Sequence, residues 1–279
     1  MNFFKLSLVT ISLLLVGCGS SDSKDDTPDT TKVGTISDAQ KNFQAVSAFS
    51  GIGDAIAKSV NFPNFQKQIS FNKFQKEEEQ TSCLKGGTVK VLTSDDKKTT
   101  ELTFDNCKMA GASYDGNIKM TNINKGNSQI TITKYTYSNS QGSGYIDLTM
   151  EEKTVNNIST TSMDGTVNQK NNNGAINNIT IKNMKFVEKE TSSDSWSTID
   201  GSMNIESKCF TGSYTLETVE KLVDAKDGSD NTESGILKLN SATYTFKNPD
   251  VTIQVGSSTE TILQSELEQR FEAKTVCDE

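Results

Sequence analysis

From residue 84 onward, apolar residues recur at every second position. Val89/Val91, Leu102/Phe104, Ile118/Met120, Ile130/Ile132, Ile146/Leu148/Met150, Ile179/Ile181, Met203/Ile205, Tyr214/Leu216, Leu237/Leu239, Tyr244/Phe246 and Val251/Ile253/Val255 all keep this alternation. A period of two places successive side chains on opposite faces of a strand, so these runs predict strands with one dry face. Thr fills many intervening positions, which suits its strand propensity. "KGNSQ", "NSQGSG", "KNNNG" and "KDGSDNTESG" separate the runs and are rich in turn formers. The expected fold is therefore mainly β over 83–279: a long antiparallel meander of about ten or more strands. A sheet of that size must curl, split or close, so a large curved sheet, half-barrel or barrel-like, is expected. A looser echo runs through "YDGNIKM", "MDGTVNQ" and "IDGSMNI", with glycines at 116, 165 and 201. The unequal intervals argue against a solenoid. Asp-Gly is the preferred pair of tight hairpins, so the three read as turns.

The period lengthens before and after this region. Residues 37–60 place Phe43, Val46, Ile56 and Val60 near one helical face, with Ser37 and Gln40 spaced for a capping box. Gly51 and Gly53 should interrupt that helix. The rest of segment 37–82 clusters Phe62, Phe65, Phe71 and Phe74. These rings are expected to pack the helical segment onto the sheet, its concave side included, and are also the candidates for a partner surface. Near the end, "SSTETILQSELEQRFEAK" carries Ile262, Leu263, Leu267 and Phe271 at helical spacing, with Ser257 and Glu260 placed for a second capping box.

The first 17 residues combine Lys5 with an apolar run from Leu6 to Val16. That run is shorter than the roughly 20 residues needed to span a bilayer and fits the hydrophobic region of an export signal. Leu15-Val16-Gly17-Cys18 resembles the lipobox of bacterial lipoproteins over about 20 residues of the chain. The resemblance implies cleavage before Cys18, acylation of that residue, and a membrane partner reached through the lipid. It also implies three acyl chains in a diderm cell, enough for stable anchoring where one chain would not suffice. Gly19, where Asp would favour inner-membrane retention, implies an outer-membrane location. "GSSDSKDDTPDTTK" then has nothing to bury, so 18–36 reads as an acylated tether.

Apolar residues make up only 33% of the 279, which a sheet wet on one face can accommodate. The formal charge is −8, without basic clusters in the linear sequence. That excludes nucleic acid as a partner and argues against a peripheral grip on anionic lipid. Beyond Cys18, four cysteines remain, an even number that favours two disulfides in an exported chain. Cys83 and Cys107 each lie 12 residues from Asp95, the centre of a polar turn between alternating runs. A regular hairpin would set them opposite one another at bonding distance. Cys209 and Cys277 are left as the second pair.

The chain has no His. Ser-His-Asp and Cys-His catalysis and His-ligated zinc are thereby excluded. No nucleophile elbow, phosphate loop or zinc-protease motif occurs. Two carboxylates could hydrolyse a glycoside, but 36 acidic residues make a chance pairing easy and the single Trp196 is poor provision for stacking sugars. Asp224, Asp227, Asp230, Asn231 and Glu233 form an oxygen-rich stretch that is a weak calcium candidate, because its order departs from the EF-hand. A solvated hairpin loop accounts for it more simply. No cofactor is expected. The sequence points to a non-enzymatic, outer-membrane-anchored lipoprotein that binds an apolar ligand or an envelope protein through its sheet. The alternatives are a structural or adhesive display module and, further off, a His-independent glycoside hydrolase.

Overall fold

A computed structural model describes residues 34–43, 45–46, 78–96, 98–109, 111–124, 127–140, 142–171, 176–191, 195–207, 211–226 and 231–267. The chain is mainly β and antiparallel, as the alternation predicts. Among the described residues, fourteen strands follow one another in sequence order, from β1 to β14, without a return to the start. Backbone contacts divide the chain into two units, 56–186 and 1–55 with 187–279.

The 56–186 unit holds β1 (Glu78–Ser82), β2 (Thr88–Thr93), β3 (Thr99–Met109), β4 (Ala112–Asn124), β5 (Asn127–Asn139), β6 (Gly142–Val155), β7 (Ile158–Asn171) and most of β8 (Ile176–Glu190). Residues 78–82, expected within a helical segment, are thus a strand, paired to β2 from Glu78↔Leu92 to Ser82↔Thr88. β6 and β7 pair without interruption from Gly142↔Asn171 to Val155↔Ile158. Asn156 and Asn157, with φ of 52° and 62°, form the two-residue turn between them. Asn tolerates that left-handed conformation better than other residues with a side chain, and the pair gives the twist a hairpin requires.

One face is dry: Val89, Val91, Leu102, Phe104, Ile118, Ile132, Ile146 and Leu148 are buried. The alternation slips at three places and still stays on that face. Leu102 and Phe104 are followed by Cys107 and Met109, Ile132 by Tyr135, and Ile179 and Ile181 by Met184, all buried. Each slip contains one residue at positive φ: Asn106 (45°), Lys134 (48°) and Asn183 (50°). These are β-bulges, in which one extra residue restores the inward face after the strand bends.

The three Asp-Gly pairs are not hairpin turns. Gly116 and Gly165 lie inside β4 and β7 at φ of 107° and 147°, and Gly201 lies inside the strand Ser195–Ser207 at 137°. A Cβ on Gly116 would fall 2.7 Å from Tyr135 Cα, just after the Lys134 bulge. Glycine here permits close backbone approach, and positive φ serves a bend as well as a turn.

The second unit contains β9 (Ser195–Ser207), β10 (Thr211–Asp224), β11 (Thr232–Leu239), β12 (Ala242–Lys247), β13 (Asp250–Val255) and β14 (Ser258–Leu263), with a helix, α1, at 36–46. α1 starts earlier than the Ser37/Gln40 spacing suggests. The Asp38 amide donates to Thr35 Oγ1 at 3.1 Å and the Thr35 amide donates to Asp38 Oδ2 at 3.0 Å. The capping box is therefore Thr35 with Asp38.

The C-terminal helix is short, as expected, and begins later than the Ser257/Glu260 spacing suggests. Ser258–Leu263 is a strand, registered on β13 from Val255↔Ser258 to Asp250↔Leu263. Gly256 and Ser257 form its turn, with Gly256 at φ 57°, so Ser257 and Glu260 cap nothing. Thr259, Thr261 and Ile262 favour the extended form, and Ile262 is buried while Leu263 faces outward. Described helix resumes only at 264–267. There Gln264 accepts from the Thr232 amide at 2.9 Å and donates to the Thr232 carbonyl at 2.8 Å, capping the first residue of β11.

Candidate interaction surfaces

The apolar face of the second unit is built from Leu237, Leu239, Ala242, Tyr244, Val251, Ile253 and Val255, all buried. α1 lies on it. Ala39 and Ala45 are buried, and the Phe43 and Tyr244 rings stand 5.0 Å apart, tilted by 40°. The Tyr244 hydroxyl donates to the Ala39 carbonyl at 2.7 Å in a buried setting. Burial pushes this phenol's pKa well above its ordinary range, so it remains a donor at any physiological pH. Asn42 is also buried, and neither its amide nitrogen nor its oxygen has a partner.

In the 56–186 unit the dry face includes an aromatic group. Phe104 meets Tyr135 edge-on at 5.8 Å, and Tyr114 stacks on Tyr135 at 6.2 Å. Tyr135 is fully buried and its pKa is raised, first by desolvation and then by the neighbouring Tyr114 and Tyr137. Tyr137 covers Gly144 directly across the β5–β6 ladder. Such an aromatic shields the bare backbone of a strand glycine.

The opposite face of that unit is polar and cross-linked. Asn117 Nδ2 donates to Glu101 Oε1 at 2.7 Å and to Thr103 Oγ1 at 3.0 Å. Gln129 Nε2 donates to Glu151 Oε1 at 2.5 Å, and the Tyr145 hydroxyl donates to Asp147 Oδ2 at 3.0 Å. Glu101, Lys119, Thr131, Thr149 and Asp164 form one row across five strands by register. The acids of two Asp-Gly pairs accept backbone amides, one in each unit. Asp164 Oδ1 accepts the Asn183 amide at 2.6 Å, and Asp200 Oδ1 accepts the Thr218 amide at 2.9 Å. Asn183 is itself one of the bulge residues. Sequence reasoning missed these acids as bulge supports, although the repeated Asp-Gly was the available signal.

Cys83 and Cys107 are bonded, with Cα atoms 5.4 Å apart. The route differs from a simple hairpin. Thr93 pairs with Thr100 and Thr88 with Asp105, while Cys107 faces Tyr114. Cys83 instead sits in the β1–β2 turn, which folds onto β3. Lys85 N donates to the Lys108 carbonyl at 3.0 Å and Lys108 N donates to the Gly86 carbonyl at 2.8 Å. Gly87, at φ 77°, passes so close to Asn106 that a Cβ would strike its backbone.

Cys18, Cys209, Cys277, Phe62, Phe65, Phe71, Phe74, Asp227 and Asp230 lie outside the described residues. The rest of the calcium candidate is not convergent. Asp224 is bonded to the Ser195 hydroxyl, whereas Asn231 and Glu233 both engage Asn248. Among the described residues no group of three or more His, Cys, Asp or Glu is placed to hold a metal. Glycoside hydrolysis would use a carboxyl with a raised pKa. Asp38 and Asp96 are both shifted the other way, below the ordinary carboxyl value, chiefly by hydrogen bonds from Thr35 and Ser94.

Together these features define a class by architecture alone: a sequential antiparallel meander with one dry face, bulged and glycine-relieved. No family model matches the chain, and no curated protein matches it.

Proposed function

We propose that this protein is a non-enzymatic lipoprotein of the cell envelope, anchored through acylated Cys18 to the outer membrane, and that it engages a partner protein through the polar face of its sheet. The docking of α1 carries this reading. In the second unit an apolar ligand would need the face that Ala39, Phe43 and Ala45 cover, and the buried Tyr244–Ala39 hydrogen bond ties the helix down. The outward face offers instead a broad array of Thr, Asn, Gln and Glu groups held by mutual hydrogen bonds. Preordered polar groups lose little entropy on binding.

Two mass measurements test the reading. The intact mature chain, purified in mild detergent, should carry covalent fatty acid on Cys18 and no non-covalent apolar ligand lacking a phosphate group. The Cys18→Ala variant should leave the membrane fraction. A stoichiometric co-purified apolar ligand without phosphate would reinstate the apolar-ligand reading, and an unacylated mature chain would remove the envelope assignment.

A further inference from the structure

The acidic chain has one end of its 56–186 unit from which carboxylates are missing. Segments 83–87, 106–114, 136–146 and 165–171 contain no Asp or Glu, although the whole sequence has 36. Register brings them together. Lys108 pairs with Ser113, Ser113 with Ser138, Ser138 with Ser143 and Ser143 with Lys170, one row across β3 to β7. Lys85 joins this row through the backbone bonds between the β1–β2 turn and β3, with the Cys83–Cys107 disulfide alongside. A cavity of 320 Å³ opens there, lined by Lys85, Lys108, Gly111, Ser113, Ser138 and Asn139. Among the described residues neither Lys85 nor Lys108 has an ion-pair partner, whereas Lys98 pairs with Asp96 and Lys238 with Glu217.

We propose that this cavity binds a phosphate group. Lys85 and Lys108 supply two cations to its lining, and the Ser113 and Ser138 hydroxyls can donate to the same group. A lysine acts toward phosphate as a mobile point charge, while the absence of carboxylates leaves the site without local repulsion. The net charge of −8 does not oppose this, because charges farther than about 8–10 Å are screened at physiological salt. The phosphate can be free or part of a lipid headgroup, and the cavity chemistry is the same for both.

The test is calorimetric titration of the full chain in neutral detergent with two probes, inorganic phosphate and glycerophosphoglycerol, the deacylated form of an anionic lipid headgroup. Saturable binding of either supports the site, and the preferred probe identifies its source. Lys85→Ala and Lys108→Ala should each weaken binding about tenfold, the effect of losing roughly one charge-assisted hydrogen bond. Lys108→Arg should retain binding, which separates lost charge from a damaged fold. Lys238→Ala alters the net charge equally at a distant strand and should change nothing. Absence of saturable binding with both probes overturns the proposal. So does a loss with Lys238→Ala as large as with Lys108→Ala.

Discussion

Replacing Gly165 with Ala tests whether the in-strand glycines are there for space as well as for backbone freedom. Gly165 stands opposite Leu148 in the uninterrupted β6–β7 ladder, at φ 147°. Its added Cβ would fall onto the Asp147 carbonyl and 2.6 Å from Leu148 Cα. Forcing a side chain into that conformation costs about 1–3 kcal/mol. Pushing two backbones apart inside a packed face adds about 1–3 kcal/mol, the usual scale for overpacking. The expected loss is therefore about 2–6 kcal/mol. Gly256→Ala is the control: φ is 57° and a Cβ there meets nothing within 4 Å, so only about 1–2 kcal/mol should be lost. Urea unfolding followed by circular dichroism at constant slope gives both values. If the two variants agree within about 0.5 kcal/mol, the limit of comparison for independent sites, the close approach at Gly165 contributes nothing and the argument fails.

Other perturbations address separate contacts. Removing the Cys83–Cys107 bridge as the double Ala variant releases a loop with a sequence separation of 24 and should cost about 3–4 kcal/mol in urea unfolding. Tyr244→Phe deletes the buried hydrogen bond to Ala39 and should cost about 1 kcal/mol, with faster amide exchange confined to 36–46. Asn42→Leu removes two buried, unpartnered amide atoms and should raise stability by about 1 kcal/mol; a loss would show that the amide is engaged. Asp38 has a folded pKa below its ordinary 3.8, set first by the Thr35 hydrogen bond. Its contribution is present above that ordinary value and is lost as pH falls through the lowered one. The slow exchange of α1 should therefore weaken in strong acid, and Asp38→Asn should remove that dependence.

The alternation of apolar residues was enough to read the strands, their antiparallel order and the dry face, because burial of one face is a strong and local constraint. The bulges were written in the same pattern, as the steps from Phe104 to Cys107, Ile132 to Tyr135 and Ile181 to Met184. They were hard to recognise because a slip of one residue also resembles the end of a strand. The Asp-Gly pairs misled for a physical reason: a turn and an in-strand bend both require positive φ, and only partner strands distinguish them. At "SSTETIL" two signals competed, helical spacing of Ile262 and Leu267 against β-branched Thr259 and Thr261, and pairing with β13 decided for the strand. The Thr35–Asp38 cap was a near miss, since Thr-x-x-Asp is as good a capping box as Ser-x-x-Gln. The lysine-lined cavity could not be read locally at all. Its residues come from three hairpins, and only the register collects them.

Because each strand pairs with its neighbour in the chain, contacts form between segments close in sequence, and few long loops must close before the next rung can be laid. Folding can then spread hairpin by hairpin from any well-formed start. The same arrangement leaves evolution free to lengthen or shorten the molecule by whole hairpins, since adding two strands at a turn requires no other part of the chain to be rethreaded.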